Sequence, residues 1–197
     1  HDNYPDHQMN MISSYQGVVS MVVSDHAPCT PDLKTITSKV TLMSAWGGIS
    51  SLQYGLPLMW TEGRKRGFTI QDVLRLMSSG KIVIYPSMHR LTVILGPAKL
   101  AQLHSRKSQI KEGYDADFVI WVIILNEPGT NILMTTKISG PLATFTISKD
   151  DIMYKNKLSP YLNRTLSGVV KQTIVGGQVV FEDGSIVCEG PVGKLLL

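Results

Sequence analysis

Gly17-Val18-Val19-Ser20-Met21-Val22-Val23-Ser24 runs directly into Asp25-His26-Ala27-Pro28-Cys29-Thr30-Pro31-Asp32. The first half is β-branched and almost continuously apolar. That composition predicts a strand buried on both faces, as in a parallel sheet. The second half carries two acids and two prolines, so the strand gives way abruptly to a loop. A carboxylate just past the carboxyl end of a buried strand is where α/β folds, barrels included, place their ligand-facing groups.

Outward from that junction the chain reads as α/β and then as β. Trp46 to Trp60 predicts a helix with Gly47-Gly48 at its start and Pro57 near its end. A clearer helix follows over Thr69–Met77. Thr69 can cap it, and Ile70, Val73, Leu74 and Met77 fall on one face. Pro97 to His104 reads as another helix, with Pro97 suited to its first turn. From about Ile110 short strands take over. Gly113-Tyr114-Asp115-Ala116-Asp117 turns into Phe118-Val119-Ile120-Trp121, and Gly176-Gly177 joins Thr173–Val175 to Gln178–Phe181 as a two-residue hairpin. Glu182-Asp183-Gly184 forms the next turn. Lys81–Gly96 and 122–141 interrupt this order with apolar residues that have no evident place to be buried.

The chain has 197 residues, of which 43% are hydrophobic, 17% charged and 7% aromatic. The apolar content can support a core, which excludes wholesale disorder. The charge fraction lies under the globular average of about 25%, which points to surface covered by its own core or by other chains. The 19 Lys and Arg against 15 Asp and Glu leave a modest excess, dense only at Arg64-Lys65-Arg66. No aromatic platform accompanies it, so nucleic acid is not an expected partner. The longest apolar run, Phe118 to Leu125, falls well below the roughly 18 residues of a membrane span. Two cysteines outside any CxxC exclude a disulfide scaffold and fit a reducing compartment, here expected to be the cytoplasm, with the mitochondrion or peroxisome as alternatives. The opening His1-Asp2-Asn3-Tyr4 carries neither an initiator Met nor a secretory signal, which suggests a processed product or a fragment.

Asp25 is the sharpest chemical candidate. Position alone leaves it open between a metal ligand or proton acceptor and a turn cap before Pro28. His26 follows on an extended backbone, so its side chain is expected on the opposite side, supporting the loop rather than sharing a ligand with Asp25. His1, His7, His89 and His104 form no HxH or HExxH pair. Cys29 has no His/Asn arrangement to make it a nucleophile and reads as a small packed thiol. Asn163-Arg164-Thr165 matches a glycosylation acceptor, without a signal that would bring it to a secretory compartment.

The stretch Val22 to Lys34, with its Ser-Asp-His-Ala-Pro-Cys-Thr-Pro-Asp-Leu-Lys, resembles allantoinases, with the vertebrate-type members nearest. These are cyclic-amide hydrolases of the amidohydrolase superfamily, related to dihydroorotases and hydantoinases. The resemblance continues in order through Ala45-Trp46-Gly47-Gly48-Ile49-Ser50-Ser51-Leu52-Gln53 and Pro97–Lys107. It then runs through Ile110–Trp121 with its Gly-Tyr-Asp-Ala-Asp-Phe-Val-Ile-Trp, and through Tyr154–Tyr161 to Gly184. Departures are Ser108 where Gly is usual, Tyr154 where His is frequent, Asn163 where Gly is common, and Gly176 where Arg is frequent.

The resemblance implies the carboxyl-terminal part of a (β/α)8 barrel, about 250 residues when whole, followed by a small β-sandwich composite domain. The barrel would be incomplete. Residues 1–109 would be the barrel part, with an insertion at 81–96, and 110–197 the small β domain, with an insertion at 122–141. It implies hydrolysis of allantoin to allantoate in purine breakdown, with Asp25 both binding one ion of a two-zinc centre and shuttling the proton. Gly47 and Gly48 would line the substrate through backbone groups, with His26 behind the ligands. The other family ligands, an HxH, a carboxylated lysine and two histidines, precede the Asp25 strand, so this chain alone is expected to be inactive. Family members are often homo-oligomers. A non-catalytic interaction module and a truncated or mispredicted product are the competing readings.

Overall fold

The structure, a computed structural model, describes residues 21–34, 41, 43–78, 96–107, 109–123 and 144–195. Among the described residues, four α-helices and one 3-10 turn occupy the first part: α1 (Pro31–Lys34), the 3-10 turn Leu52–Tyr54, α2 (Gly55–Arg64), α3 (Ile70–Met77) and α4 (Gly96–Leu100). Six described strands follow: β1 (Phe118–Val122), β2 (Thr144–Thr146), β3 (Thr165–Ser167), β4 (Val169–Val175), β5 (Gln178–Glu182) and β6 (Ser185–Ile186). The described residues are thus mixed α/β with antiparallel sheets. One sheet runs β1-β4-β5-β6 and the other pairs β2 with β3.

Local chemistry explains most of these elements. Thr69 caps α3 through a reciprocal box: its Oγ1 accepts the Asp72 amide at 3.2 Å, and the Asp72 carboxylate accepts the Thr69 amide at 2.9 Å. Val73 and Leu76 on its inner face are fully buried. The β4–β5 hairpin closes through Gly176 and Gly177 at φ of 57° and 82°, the pair of left-handed residues that a tight hairpin turn requires. Asp183 and Gly184 turn β5 into β6 in the same way, at φ of 42° and 91°.

Two cores hold the described residues together. Met59, Trp60, Phe68, Val73 and Leu76 pack with Ile123, and Tyr54 packs with Ile147, Ile152 and Leu166. Each core draws on residues from both sides of position 109. The same joint is hydrogen bonded, with the Ser167 amide donating to Thr61 Oγ1 at 2.8 Å. Val122 and Ile123 are both buried, so β1 enters the core at the very start of the segment 122–141. Most of that segment, and nearly all of 81–96, lies outside the described residues.

Three sequence expectations are corrected. The strand expected over 17–24 is absent at residues 21–24, while 17–20 lie outside the described residues. A strand needs a neighbouring ladder. Here Val22 bonds the end of α3 instead, its amide donating to Leu76 O at 2.8 Å, and Val23 is 68% exposed. Among the described residues the one parallel pairing is an isolated bridge, His26 to Ile49. The helix expected from Trp46 begins only at the 3-10 turn, because the Trp46 and Gly48 carbonyls are engaged by Lys34 rather than by amides four residues on. The helix expected to reach His104 ends at Leu100, and Gln102 then takes a left-handed φ of 59°.

Candidate active-site loop

The segment that carries Asp25 and His26 meets the one that carries Gly47 and Gly48. Asp25 stands exposed at the turn with a left-handed φ of 42°, a conformation that costs a non-glycine residue energy and persists only where its surroundings fix it. They do so from both sides. Ser24 O accepts the Ser51 hydroxyl at 2.7 Å, and the Ala27 amide donates to Ile49 O at 2.9 Å. Between them, His26 Nδ1 accepts the Ser51 and Leu52 amides, both at 3.1 Å. These amides begin the 3-10 turn and have no partner inside it, so the imidazole acts as a cap supplied from elsewhere in the chain. With Nδ1 as an acceptor, the proton of a neutral ring lies on Nε2. The ring also meets Tyr154 edge to face, centroids 5.3 Å apart. His26 therefore braces the loop beside Asp25.

Gly47 and Gly48 lie on the facing segment, in different surroundings. A Cβ on Gly47 would meet nothing within 4 Å, whereas one on Gly48 would stand 2.4 Å from Ala27 Cβ. Gly48 thus permits close contact between the two loops, and Gly47 is open. Trp46 Nε1 donates to Ala27 O at 3.1 Å. Lys34 Nζ donates to the carbonyls of Trp46 at 2.9 Å and Gly48 at 2.6 Å. Gln53 ties this region to the later chain, donating to Asp151 O at 2.6 Å and accepting from the Met153 amide at 2.8 Å.

The resemblance places Trp46 with Gly47 and Gly48 on the substrate-lining segment, but neither its indole bond to Ala27 nor any role for Lys34, Ser51, Gln53 and Tyr154 was legible in the sequence. Lys34 lies inside the decisive motif, but its reach across to residue 46 leaves no local spacing to read. Of the other histidines, His104 is exposed and its carbonyl accepts the Tyr114 hydroxyl, while His1, His7 and His89 lie outside the described residues. Cys29 is buried and free, and Asn163 occupies a left-handed turn at φ 63°. Among the described residues, no three His, Cys, Asp or Glu gather as a metal site would require. A separate open recess of about 380 Å³, lined by Lys111, Tyr114, Asp115 and Phe118 among others, contains none of the expected site residues.

Away from the loop, Arg106 and Lys107 pair with Asp115, and Lys107 also pairs with Asp117. Asp117 accepts the Gly176 amide at 2.8 Å as well. The hydrogen bonds from Arg106 and Lys107 hold Asp115 below the usual carboxylate range, and those from Lys107 and Gly176 do the same for Asp117. Bonds to the two aspartates push Lys107 upward. Burial, with Tyr154 and Asp151 nearby, raises the Tyr54 hydroxyl to about 12.

No family model matches the chain. Among curated proteins, it is 34% identical over 185 residues to "Probable allantoinase 2" of Dictyostelium discoideum, covering 92% of this chain and 30% of that one. It is 62% identical over 64 residues to "Allantoinase, mitochondrial" of Aquarana catesbeiana, covering 32% of this chain and 13% of that one. Among solved structures it is similar to a D-hydantoinase (dihydropyrimidinase) from Thermus sp., with TM-score 0.69 and 25% identity over 96% of this chain and 34% of that one. The chain therefore spans about 30% of the length of the Dictyostelium relative. Sequence and fold agree that this chain resembles the carboxyl-terminal portion of the allantoinases, among the hydantoinase-like cyclic amidohydrolases.

Proposed function

We propose that this chain supplies the carboxyl-terminal part of an allantoinase, which adds water across a ring amide of allantoin to give allantoate. The supporting observation is the convergence of the two resembling motifs: residues 24–27 and 49–52 lock together around Asp25, with Gly47 open beside them. Asp25 is the proposed acid–base carboxylate. It accepts a proton from the attacking water and returns it to the ring nitrogen as the C–N bond breaks. Its exposure leaves it available to substrate. Backbone groups at Gly47 and Gly48 are proposed to line the substrate, and His26 to keep Asp25 in place.

Zinc, which the resemblance implies, does not fit the donors that this chain presents by itself. Asp25 is one exposed carboxylate, and the adjacent His26 already spends Nδ1 on two amides. A metal-binding role for Asp25 needs ligands from outside the described residues. The isolated chain is accordingly proposed to be inactive.

The architecture proposed is the end of an incomplete barrel in 1–109 and a small β domain in 110–197. The β1-β4-β5-β6 sheet lies wholly in the latter. The cytoplasm remains the proposed location; the name of the Aquarana catesbeiana relative places that protein in mitochondria.

The test has two parts. Purified chain with zinc and allantoin should yield no allantoate. A chimera in which this chain replaces the matching part of the Dictyostelium relative should yield it, and Asp25→Ala in the chimera should abolish it. Turnover by the isolated chain, or a folded but inactive chimera, would overturn the proposal. The second reading, a non-catalytic interaction module, draws on the apolar residues left exposed on β1, Phe118, Val119 and Ile120.

A further inference from the structure

We infer that Lys34 is a positioning residue that sets the geometry of Asp25 by tying the Gly47–Gly48 segment to the Asp25 loop. The inference rests on the cyclic-amide hydrolase reading for its catalytic consequence, and on the geometry alone for its structural one.

Lys34 closes the short helix α1, and its ammonium reaches two carbonyl oxygens two residues apart, Trp46 O at 2.9 Å and Gly48 O at 2.6 Å. Two carbonyls turned toward one point repel each other unless a cation stands between them. An ammonium is a point charge with three donors, which suits that place. Among the described residues Lys34 has no carboxylate partner. Its charge is therefore spent on the two carbonyls, in bonds roughly twice as strong as neutral ones.

The direction of these bonds matters. A peptide is planar and trans, so aiming Trp46 O at Lys34 turns the Gly47 N–H the opposite way. The same holds for Gly48 O and the Ile49 N–H. Lys34 thus dictates which face of the Gly47–Gly48 backbone is presented outward. It also delivers Ile49 O to the Ala27 amide and the Trp46 indole to Ala27 O, at 2.9 and 3.1 Å. The Trp46 amide in turn donates to Leu33 O at 2.9 Å, next to Lys34 itself. Every link runs between residues 24–34 and residues 46–52, and Asp25 with its left-handed φ lies inside the loop so closed.

The test compares Lys34→Met, which keeps the apolar stem and removes the donors, with Lys34→Arg, which restores donors. In the full chain, amide hydrogen exchange is followed by NMR at Trp46 and Ala27, with Ser78 and Gly177 as controls for the fold. Lys34→Met should lose about tenfold or more of the protection at Trp46 and Ala27, leaving the controls unchanged. Lys34→Arg should recover most of it. Unchanged protection in Lys34→Met would overturn the inference.

In the allantoinase chimera, Lys34→Met should lower kcat about 10- to 100-fold with a smaller change in KM, as misplacement of a reacting group does, and Lys34→Arg should recover part of it. Lost protection with kcat unchanged would reduce Lys34 to a structural residue and overturn the positioning role. If the unsubstituted chimera is folded yet silent, the hydrolase reading fails, and the exchange measurement still decides the clamp.

Discussion

Gly48 and Gly47 are adjacent yet answer to different constraints, and substitution should separate them. A methyl on Gly48 would sit 2.4 Å from Ala27 Cβ and 2.9 Å from Trp46 Nε1, both in a loop already clamped. Gly48→Ala is expected to destabilise the chain by about 1–3 kcal/mol, the usual range for an overpacked site. Gly47→Ala, with open space around it, should be close to neutral. Urea unfolding checks both, and Ala27→Gly added to Gly48→Ala should recover part of the loss if the two methyls are what collide. Tyr54 poses the opposite case. Its ring is buried in the second core, but its hydroxyl has no hydrogen-bond partner among the described residues. A buried donor left unmet costs about 1–3 kcal/mol, so Tyr54→Phe should raise the unfolding midpoint. A lowered midpoint would mean that the hydroxyl is satisfied after all.

At the scale of elements, α3 should depend on its cap and the β1–β4 sheet on its charged clasp. Thr69→Ala removes the hydroxyl that accepts the Asp72 amide and should cost about 1 kcal/mol, read from thermal unfolding. The clasp makes a pH prediction. Asp115 and Asp117 titrate below their ordinary range in the folded chain, so their contribution is fully present above an unfolded carboxylate value of about 3.9. It is lost as pH falls through the lowered folded values. Lys107 works in the other direction: its raised value contributes below about 10.4 and is lost as pH climbs past it. Between those limits Asp117→Asn should lower the melting temperature, and the difference from the unsubstituted chain should shrink in acid. An equal difference at every pH would refute the clasp.

These local elements were also the legible ones. The capping box, the Gly-Gly hairpin and the Asp-Gly turn are written within a few adjacent residues, so their chemistry is visible in sequence. That residues 21–24 form no strand and that no helix starts at Trp46 could not be read there, because both outcomes depend on distant partners. A strand requires a ladder beside it, and the Trp46 and Gly48 carbonyls were claimed by a lysine in another motif. Asp25, His26, Gly47 and Gly48 were named from sequence, but what unites them, Lys34, Ser51 and Ile49 O, acts through tertiary contacts that periodicity does not encode.

The whole molecule is governed by what its surfaces leave uncovered. Among the described residues the strand order places β1 at the edge of its sheet, with Phe118, Val119 and Ile120 exposed, Val119 by half. Edges of this composition invite pairing with another chain. Ile186, Val187 and Leu195 add exposed apolar surface beyond it. The low charge fraction seen in the sequence is thus matched by apolar surface in the fold. The chain alone should self-associate, with sedimentation velocity shifting to larger species as concentration rises. Val119→Lys, placing a charge on the open edge, should reverse that shift while circular dichroism keeps its shape. The form of the association then separates the two functional readings. A single discrete oligomer abolished by Val119→Lys supports an interaction surface built around β1. A broad, polydisperse distribution that the substitution narrows fits faces meant to be covered by the remainder of an allantoinase, and the chimera should be free of it. A monomer at all concentrations would refute both uses of the β1 edge.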